Sequence, residues 1–269
     1  MKKRWKKTAA AVFMIIALVC LTGVFLIRDS AENLELTHYT AENAGLPESF
    51  AGFKIVQLSD FHGAEFVDDI VTLVKAEKPD IIALTGDFIT DGGDLPAVRE
   101  LAQRLTDICD VYFVSGNHDF ASGKIDELSD ILKACGVKYL RNEYVVLERR
   151  GERIVLAGVE DPNSWADLEP PEEFIGRLRA EFPDDYVVLL GHRNYWMEKY
   201  PELPVQLVLC GHDDFVHAQH GAAHIYIDHQ QMIPQLLLVG FHIGPAALQT
   251  DLLAAVPHCL LYTSDAADD

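Results

Sequence analysis

Three short runs carry residue types that could do chemistry together: Asp60-Phe61-His62, Gly86-Asp87 and Gly116-Asn117-His118-Asp119. Carboxylates, imidazoles and an amide are hard-to-borderline ligands, suited to Mn, Fe, Zn or Mg rather than to a soft metal. Asp60 and His62 lie two residues apart. In extended chain they point to one side and can chelate one ion. Asp87 has two oxygens and can bridge two cations, and Gly86 lets the backbone pass close to such a centre. The amide of Asn117 is a neutral ligand that limits negative charge. His118 is then free to act on substrate as proton donor or phosphate ligand. His192, in Leu190-Gly191-His192, and His212, in Gly211-His212, are further ligand candidates. Each run alone has a plain alternative: a turn aspartate with a surface histidine, a helix cap, or a polar residue ending a strand. Five such runs in order, each just after an apolar stretch, read as a metal site.

The elements that must position them follow from periodicity. Residues 53–58, 80–84, 111–114, 186–190 and 206–209 are β-like apolar runs, each followed by one of these motifs. In parallel sheets they would open onto one edge, where open α/β sheets bind ligands. Residues 64–76 place Phe66, Ile70, Leu73 and Val74 at helical spacing, and 95–105 and 125–135 read likewise. The third of these ends near Gly136, a plausible helix stop. Residues 171–181 form a further helix with prolines in its first turn. The strand-like runs 144–148 and 153–159 flank Arg149-Arg150-Gly151-Glu152, a hairpin signal. A shorter strand-like stretch covers 34–39. The pattern is α/β but turns antiparallel in the middle, so a mixed sheet or two packed sheets fits better than a doubly wound fold.

The chain has 269 residues, enough for one large domain, and 49% hydrophobic content excludes global disorder. Its formal net charge is −20, but six of its 22 basic residues lie in the first 28 positions, where there is no acid. The other 16 face 42 acidic residues, a formal −26 for the remainder. Such a surface repels polyanions, so no nucleic-acid partner is expected. A small phosphorylated substrate is compatible with it, because bound cations dominate the local field. Lys2-Lys3-Arg4-Trp5-Lys6-Lys7 precedes residues 8–27, an uncharged run of the length that spans a bilayer as a helix. The basic flank should stay cytoplasmic. The expectation is therefore a single-pass signal anchor in the cell membrane, over 1–28, with the domain outside the cytoplasm. A cleaved signal peptide is the alternative. Residues 29–50 read as a linker. Five cysteines without CxxC spacing are expected to be buried thiols, with a Cys109–Cys135 bridge left open.

The order Asp60-x-His62, Gly86-Asp87, Gly116-Asn117-His118-Asp119, His192 and Gly211-His212 resembles the calcineurin-like metallophosphoesterases. The stretches 53–60 and 79–87, with the apolar segment before them, resemble its bacterial membrane-associated branch. The resemblance implies two packed mixed β-sheets flanked by helices, over residues 51–212, with two divalent metal ions at one edge. It implies that Asp60 and His62 hold the first metal, that Asp87 bridges, and that Asn117, His192 and His212 hold the second. His118 would assist the leaving oxygen as the catalytic residue. The activity implied is hydrolysis of a phosphomonoester or phosphodiester, on an envelope, lipid or nucleotide substrate. Alternatives are a pyrophosphate hydrolase acting on a nucleotide-sugar or lipid, and an inactive envelope protein that binds through the same pocket.

One departure stands out. The family pattern ends Gly-His-x-His followed by glycines, and the last histidine completes the first metal. Here Asp214 occupies that position, as a substitute ligand, and the glycines are missing. From 213 to 269 the resemblance ends, and the segment is rich in His, Gln and Ala without strand–turn rhythm. Residues 259–269 resemble a translated sequencing adapter. The expectation is that the tail comes from a frameshift or chimeric join and lacks the late strands of the fold.

Overall fold

The computed structural model describes residues 36–42, 45–64, 66–162, 168–193 and 204–212, helical pieces at 13–18 and 21–22, and the backbone of three later strands. Strands β1 (Leu36–Glu42), β2 (Lys54–Ser59), β3 (Ile81–Thr85), β4 (Asp110–Val114) and β5 (Lys138–Tyr139) belong to a first sheet. Strands β6 (Glu143–Arg149), β7 (Glu152–Gly158), β8 (Tyr186–Gly191) and β9 (Leu207–Cys210) belong to a second. Within them β2 to β5 run parallel, and so do β7 to β9. Helices α1 (Val67–Glu77), α2 (Leu95–Thr106), α3 (Asn117–Ala121), α4 (Ile125–Ala134) and α5 (Pro171–Glu181) fill the connections.

Side-chain alternation along the strands sets the layers. Val56, Leu58, Ile82, Leu84, Val111 and Phe113 pack against Ile70 and Val74 of α1, Leu101 and Leu105 of α2, and Leu128 and Leu132 of α4. The intervening Ile55, Ile81, Ala83, Tyr112 and Val114 face the other way. They meet Ile154, Leu156, Val188, Leu190 and Leu209 of the second sheet. The far face of that sheet, with Val155, Ala157, Val187 and Leu189, is covered by Phe174, Ile175 and Leu178 of α5. The order is helices, sheet, sheet, helix. Burying one large aliphatic side chain contributes about 1.5–3 kcal/mol. A one-residue slip of β3 would turn Ile82 and Leu84 out of their layer at once, so register is firmly set.

The expected elements are found with shifted ends. The first helix starts at Val67 and stops where Lys78 turns left-handed at φ 53°, just ahead of Pro79. The β6–β7 hairpin turns through Arg150 and Gly151, with φ of 52° and 84°, and its last pair is Arg149 with Glu152. Positive φ at both turn residues is the geometry that matches strand twist. Cys109 and Cys135 are free thiols rather than a bridge, and Cys210 is buried. Burial pushes the Cys109 thiol up to about 12.

The tail departs from the expectation of missing strands. Backbone strands β10 (Phe215–Ala218), β11 (Ile225–Tyr226) and β12 (Gln235–His242) extend both sheets. β10 pairs antiparallel with β9, and β12 lies between β1 and β2. Pairing there satisfies backbone groups that β2 would otherwise present as an open edge. The run Leu236-Leu237-Leu238-Val239 is the apolar signal for β12 that overall composition concealed. Residues 259–269 lie outside the described residues. So does most of the expected membrane span 8–27, of which Phe13, Met14, Ile15, Ile16, Leu18 and Leu21 are helical and exposed. Among the described residues, no helix is long and apolar enough to cross a membrane.

Candidate metal centre

The C-terminal ends of β2, β3, β4, β8 and β9 converge on one edge between the sheets. Beyond β2 and β3 the ladder continues into their loops: Asp60 N donates to Gly86 O at 3.0 Å, and His62 N to Asp87 O at 3.0 Å. These loops bring Asp60, His62 and Asp87 together, with ligand atoms within 4.8 Å of one another. Asp87, His192 and His212 form a second such group. Asp87 is common to both. The amide of His212 donates to Asp60 Oδ2 at 3.1 Å, which ties the two sheets across the site.

Two buried atoms at this edge have no hydrogen-bond partner: Asn117 Oδ1 and His192 Nε2. A buried polar atom left unpaired costs about 1–3 kcal/mol. His192 Nε2 lies 3.1 Å from Asp87 Oδ2, close but without hydrogen-bond alignment. Two ligands of one cation stand in that relation. Nδ1 of His192 is 2.8 Å from Thr85 O. Donating to that carbonyl aims Nε2 at Asp87, where it is open to a cation once it gives up its own proton. His62 is held in the same way, its Nδ1 2.9 Å from Thr90 Oγ1 and its Nε2 3.9 Å from Asp60 Oδ1. The donor set therefore fits divalent cations, with mixed nitrogen and oxygen ligands and atoms that lack any other partner.

Backbone strain concentrates here. Asp60, His62, Asp87 and His212 have φ of 55°, 46°, 56° and 70°. Left-handed non-glycine residues cost roughly 1–3 kcal/mol each and persist where the surroundings over-determine them. Gly86, at φ 90°, sits where a Cβ would come within 2.7 Å of both Gly116 N and His192 Nδ1. Only glycine fits that crossing.

Electrostatics follow from the shared carboxylate. Burial pushes Asp87 up, but the adjacent His192 and the 2.8 Å bond from His118 N outweigh it and hold it below the usual carboxylate range. Burial pulls His192 down, yet Asp87 beside it raises it to about 9. Burial holds His62 below its ordinary value. The His118 ring stands 5.1 Å from that of His62, edge to face.

Sequence reasoning assigned no role to Asp119. It is fully buried, and its two oxygens accept from the amides of Asp87, Phe88, Ile89 and Gly116 at 2.8–3.0 Å. Burial raises its pKa to about 7. Four N–H donors favour the carboxylate over the acid. Asp119 thereby staples the Asp87 loop to the Asn117 loop. Thr90 and Thr85, which orient His62 and His192, were missed as well. Their partners are far apart in sequence, and no local signal marks them. Of the expected site residues, Asp214 lies outside the described residues.

Residues 53–214 match the calcineurin-like phosphoesterase family. The chain is 30% identical to the uncharacterised metallophosphoesterase YkuE of Bacillus subtilis over 66% of its own length and 64% of that protein. It is 29% identical to the phosphodiesterase YaeI of Escherichia coli, over 61% of this chain and 62% of that one. A Danio rerio protein described as a transmembrane protein with metallophosphoesterase domain is 28% identical over 62% of this chain and 41% of its own. The chain thus spans less than two thirds of each of these relatives. The crystal structure of a Thermus thermophilus protein is similar at TM-score 0.48 and 14% identity, covering 70% of this chain and 89% of that one.

Proposed function

This chain belongs to the calcineurin-like phosphoesterase family, and on that premise we propose that it hydrolyses phosphoric esters through a two-metal site. Asp60 and His62 would hold one divalent ion and Asn117, His192 and His212 the other, with Asp87 between them. Asp214 would complete the first set. When bound, such ions polarise phosphoryl oxygens and lower the pKa of water. The chain's own residues do the rest. Asp60, Asp87 and the imidazoles fix the positions of charge at the strand ends, Asp119 and the two threonines hold those ligands, and His118 donates a proton to the leaving oxygen. The substrate is a small phosphomonoester or phosphodiester.

The observation that carries this reading is that Asp87 is common to two groups of ligand-type residues, at an edge where the buried Asn117 Oδ1 has no hydrogen-bond partner. For location, the exposed apolar residues Phe13, Met14, Ile15, Ile16, Leu18 and Leu21 and the basic residues before them support a membrane anchor with the domain on the outer side. The test is to load the purified protein with Mn²⁺, count bound metal, and follow hydrolysis of a chromogenic phosphodiester beside Asp87→Asn. About two metals per chain and a loss of turnover by orders of magnitude in the variant are expected. Equal turnover in the two proteins would remove Asp87 from the site.

A further inference from the structure

Beside the metal edge, the next strand end carries a different kind of chemistry. β7 lies next to β8 in the same parallel run, so its C-terminal end opens on the same side as His192. Just past β7 come two buried acids, Glu160 and Asp161. Each holds a guanidinium. Arg193 donates from Nε to Asp161 Oδ2 at 2.8 Å, with Nη2 3.5 Å from Oδ1. Arg141 donates from Nε to Glu160 Oε2 at 2.8 Å. Glu160 also accepts from Tyr139 and from Ser115, two residues before Asn117.

Arg193 is the closer of the two arginines in sequence to a ligand. Its Cα is one peptide, about 3.8 Å, from that of His192. Its side chain is only 22% exposed, against 40% for Arg141. Among the described residues, its Nη1 has no hydrogen-bond partner. A guanidinium fixed by a carboxylate keeps unused donors in a set direction, so an arriving anion meets little entropic cost. An ion pair buried only for stability is a weak device, because apolar side chains of similar volume serve as well. In a chain of net charge −20, a cation braced by Asp161 one residue from a candidate metal ligand is a specific asset.

The geometry points to Arg193, braced by Asp161, as a specificity-determining residue that takes a second anionic group of the substrate while the reacting phosphoryl group lies at the metals. This rests on the phosphoesterase reading above. The substrate class it names is a compound with two neighbouring phosphate groups, such as a diphosphate, in preference to an isolated phosphomonoester.

The experiment is calorimetric binding of AMP and ADP to the full chain loaded with excess Mn²⁺, beside Arg193→Gln and Arg193→Lys, with bound metal counted in each. Wild type should bind ADP more tightly than AMP by about tenfold to a hundredfold, the range for hydrogen bonds to a charged group. Arg193→Gln should remove that preference while AMP affinity and metal count stay within about twofold. Arg193→Lys, which keeps charge but not the fork, should fall between. Equal affinities in wild type, or a preference that survives in Arg193→Gln, would overturn the proposal. If Arg193→Gln fails to fold, a wild-type ratio in Arg193→Lys overturns it instead. Wild type that binds both nucleotides but hydrolyses no ester would sink the phosphoesterase reading, and the AMP–ADP ratio would still decide the role of Arg193.

Discussion

The metal edge and the acid-stapled scaffold behind it are built from the same residue types in opposite conditions. At the edge, four candidate ligands have left-handed backbones and two buried polar atoms lack partners. A few ångströms behind, Asp119 is more deeply buried than any of them and has both oxygens satisfied by four amides. Glu160 is likewise held by three side chains. The difference teaches how to read buried polar groups. A satisfied one holds structure, and an unsatisfied one among clustered ligand-type residues, as Asn117 Oδ1 is, points to something else binding there.

The strongest way to break the contrast is Asp119→Ala. It leaves four buried amides without an acceptor, and breaking a buried charged network of this kind costs about 3–5 kcal/mol. Denaturant unfolding should show that loss whether or not metal is present. An unfolding midpoint equal to wild type would mean that Asp119 is a bystander.

Asn117→Ala should do the reverse to the fold. It deletes an unpaired oxygen, so metal-free stability should stay level or rise, by up to about 1 kcal/mol. Turnover should fall by about a hundredfold or more, beyond the range for an outer-shell partner. Stability and activity moving together in this variant would show Asn117 to be structural, and the contrast would lose its clearest member.

The candidate ligand motifs stand out in the sequence because each is local: a strand, a glycine or short turn, then a residue of ligand type. The strands were legible for the same reason, as continuous apolar runs, but the layer each residue joins was not, because Ile55 and Val56 or Ile82 and Ala83 are equally apolar and face opposite ways. What holds the ligands was not. Thr90 meets His62 across 28 residues, Thr85 meets His192 across 107, and Asp119 reaches the Asp87 loop across 32. Such pairs are set by tertiary contact and leave no period. β12 was hidden too, because its place between β1 and β2 depends on partners nearly two hundred residues earlier.

A milder change sharpens the comparison at the ligand's outer support. Thr90→Val removes the oxygen that fixes the Nδ1 side of His62 and leaves the ligand itself in place. Metal affinity should drop by about tenfold to a hundredfold, the usual effect of losing such a partner. A metal titration that overlays wild type would show that Thr90 does not orient the ring.

The smallest expected signal is a proton, and its sign follows from the same two groups. In the metal-free fold, Asp87 is ionised with a lowered pKa, while His192 beside it is raised to about 9 and so is protonated at neutral pH. His62 is lowered, hence already neutral there. A cation needs Nε2 of His192 bare, so loading near pH 7 must expel about one proton per chain. Metal affinity should therefore rise with pH, by roughly tenfold per unit, and level off as pH passes about 9. The metal-free fold moves the other way. A raised histidine stabilises it fully below its unfolded value of 6.5, and that contribution fades as pH climbs through the folded value. Titrating metal in two buffers of different protonation enthalpy reads the proton directly. Heats that do not depend on the buffer would mean that Asp87 does not hold His192 in its charged form, and the electrostatic account of this edge would have to be rebuilt.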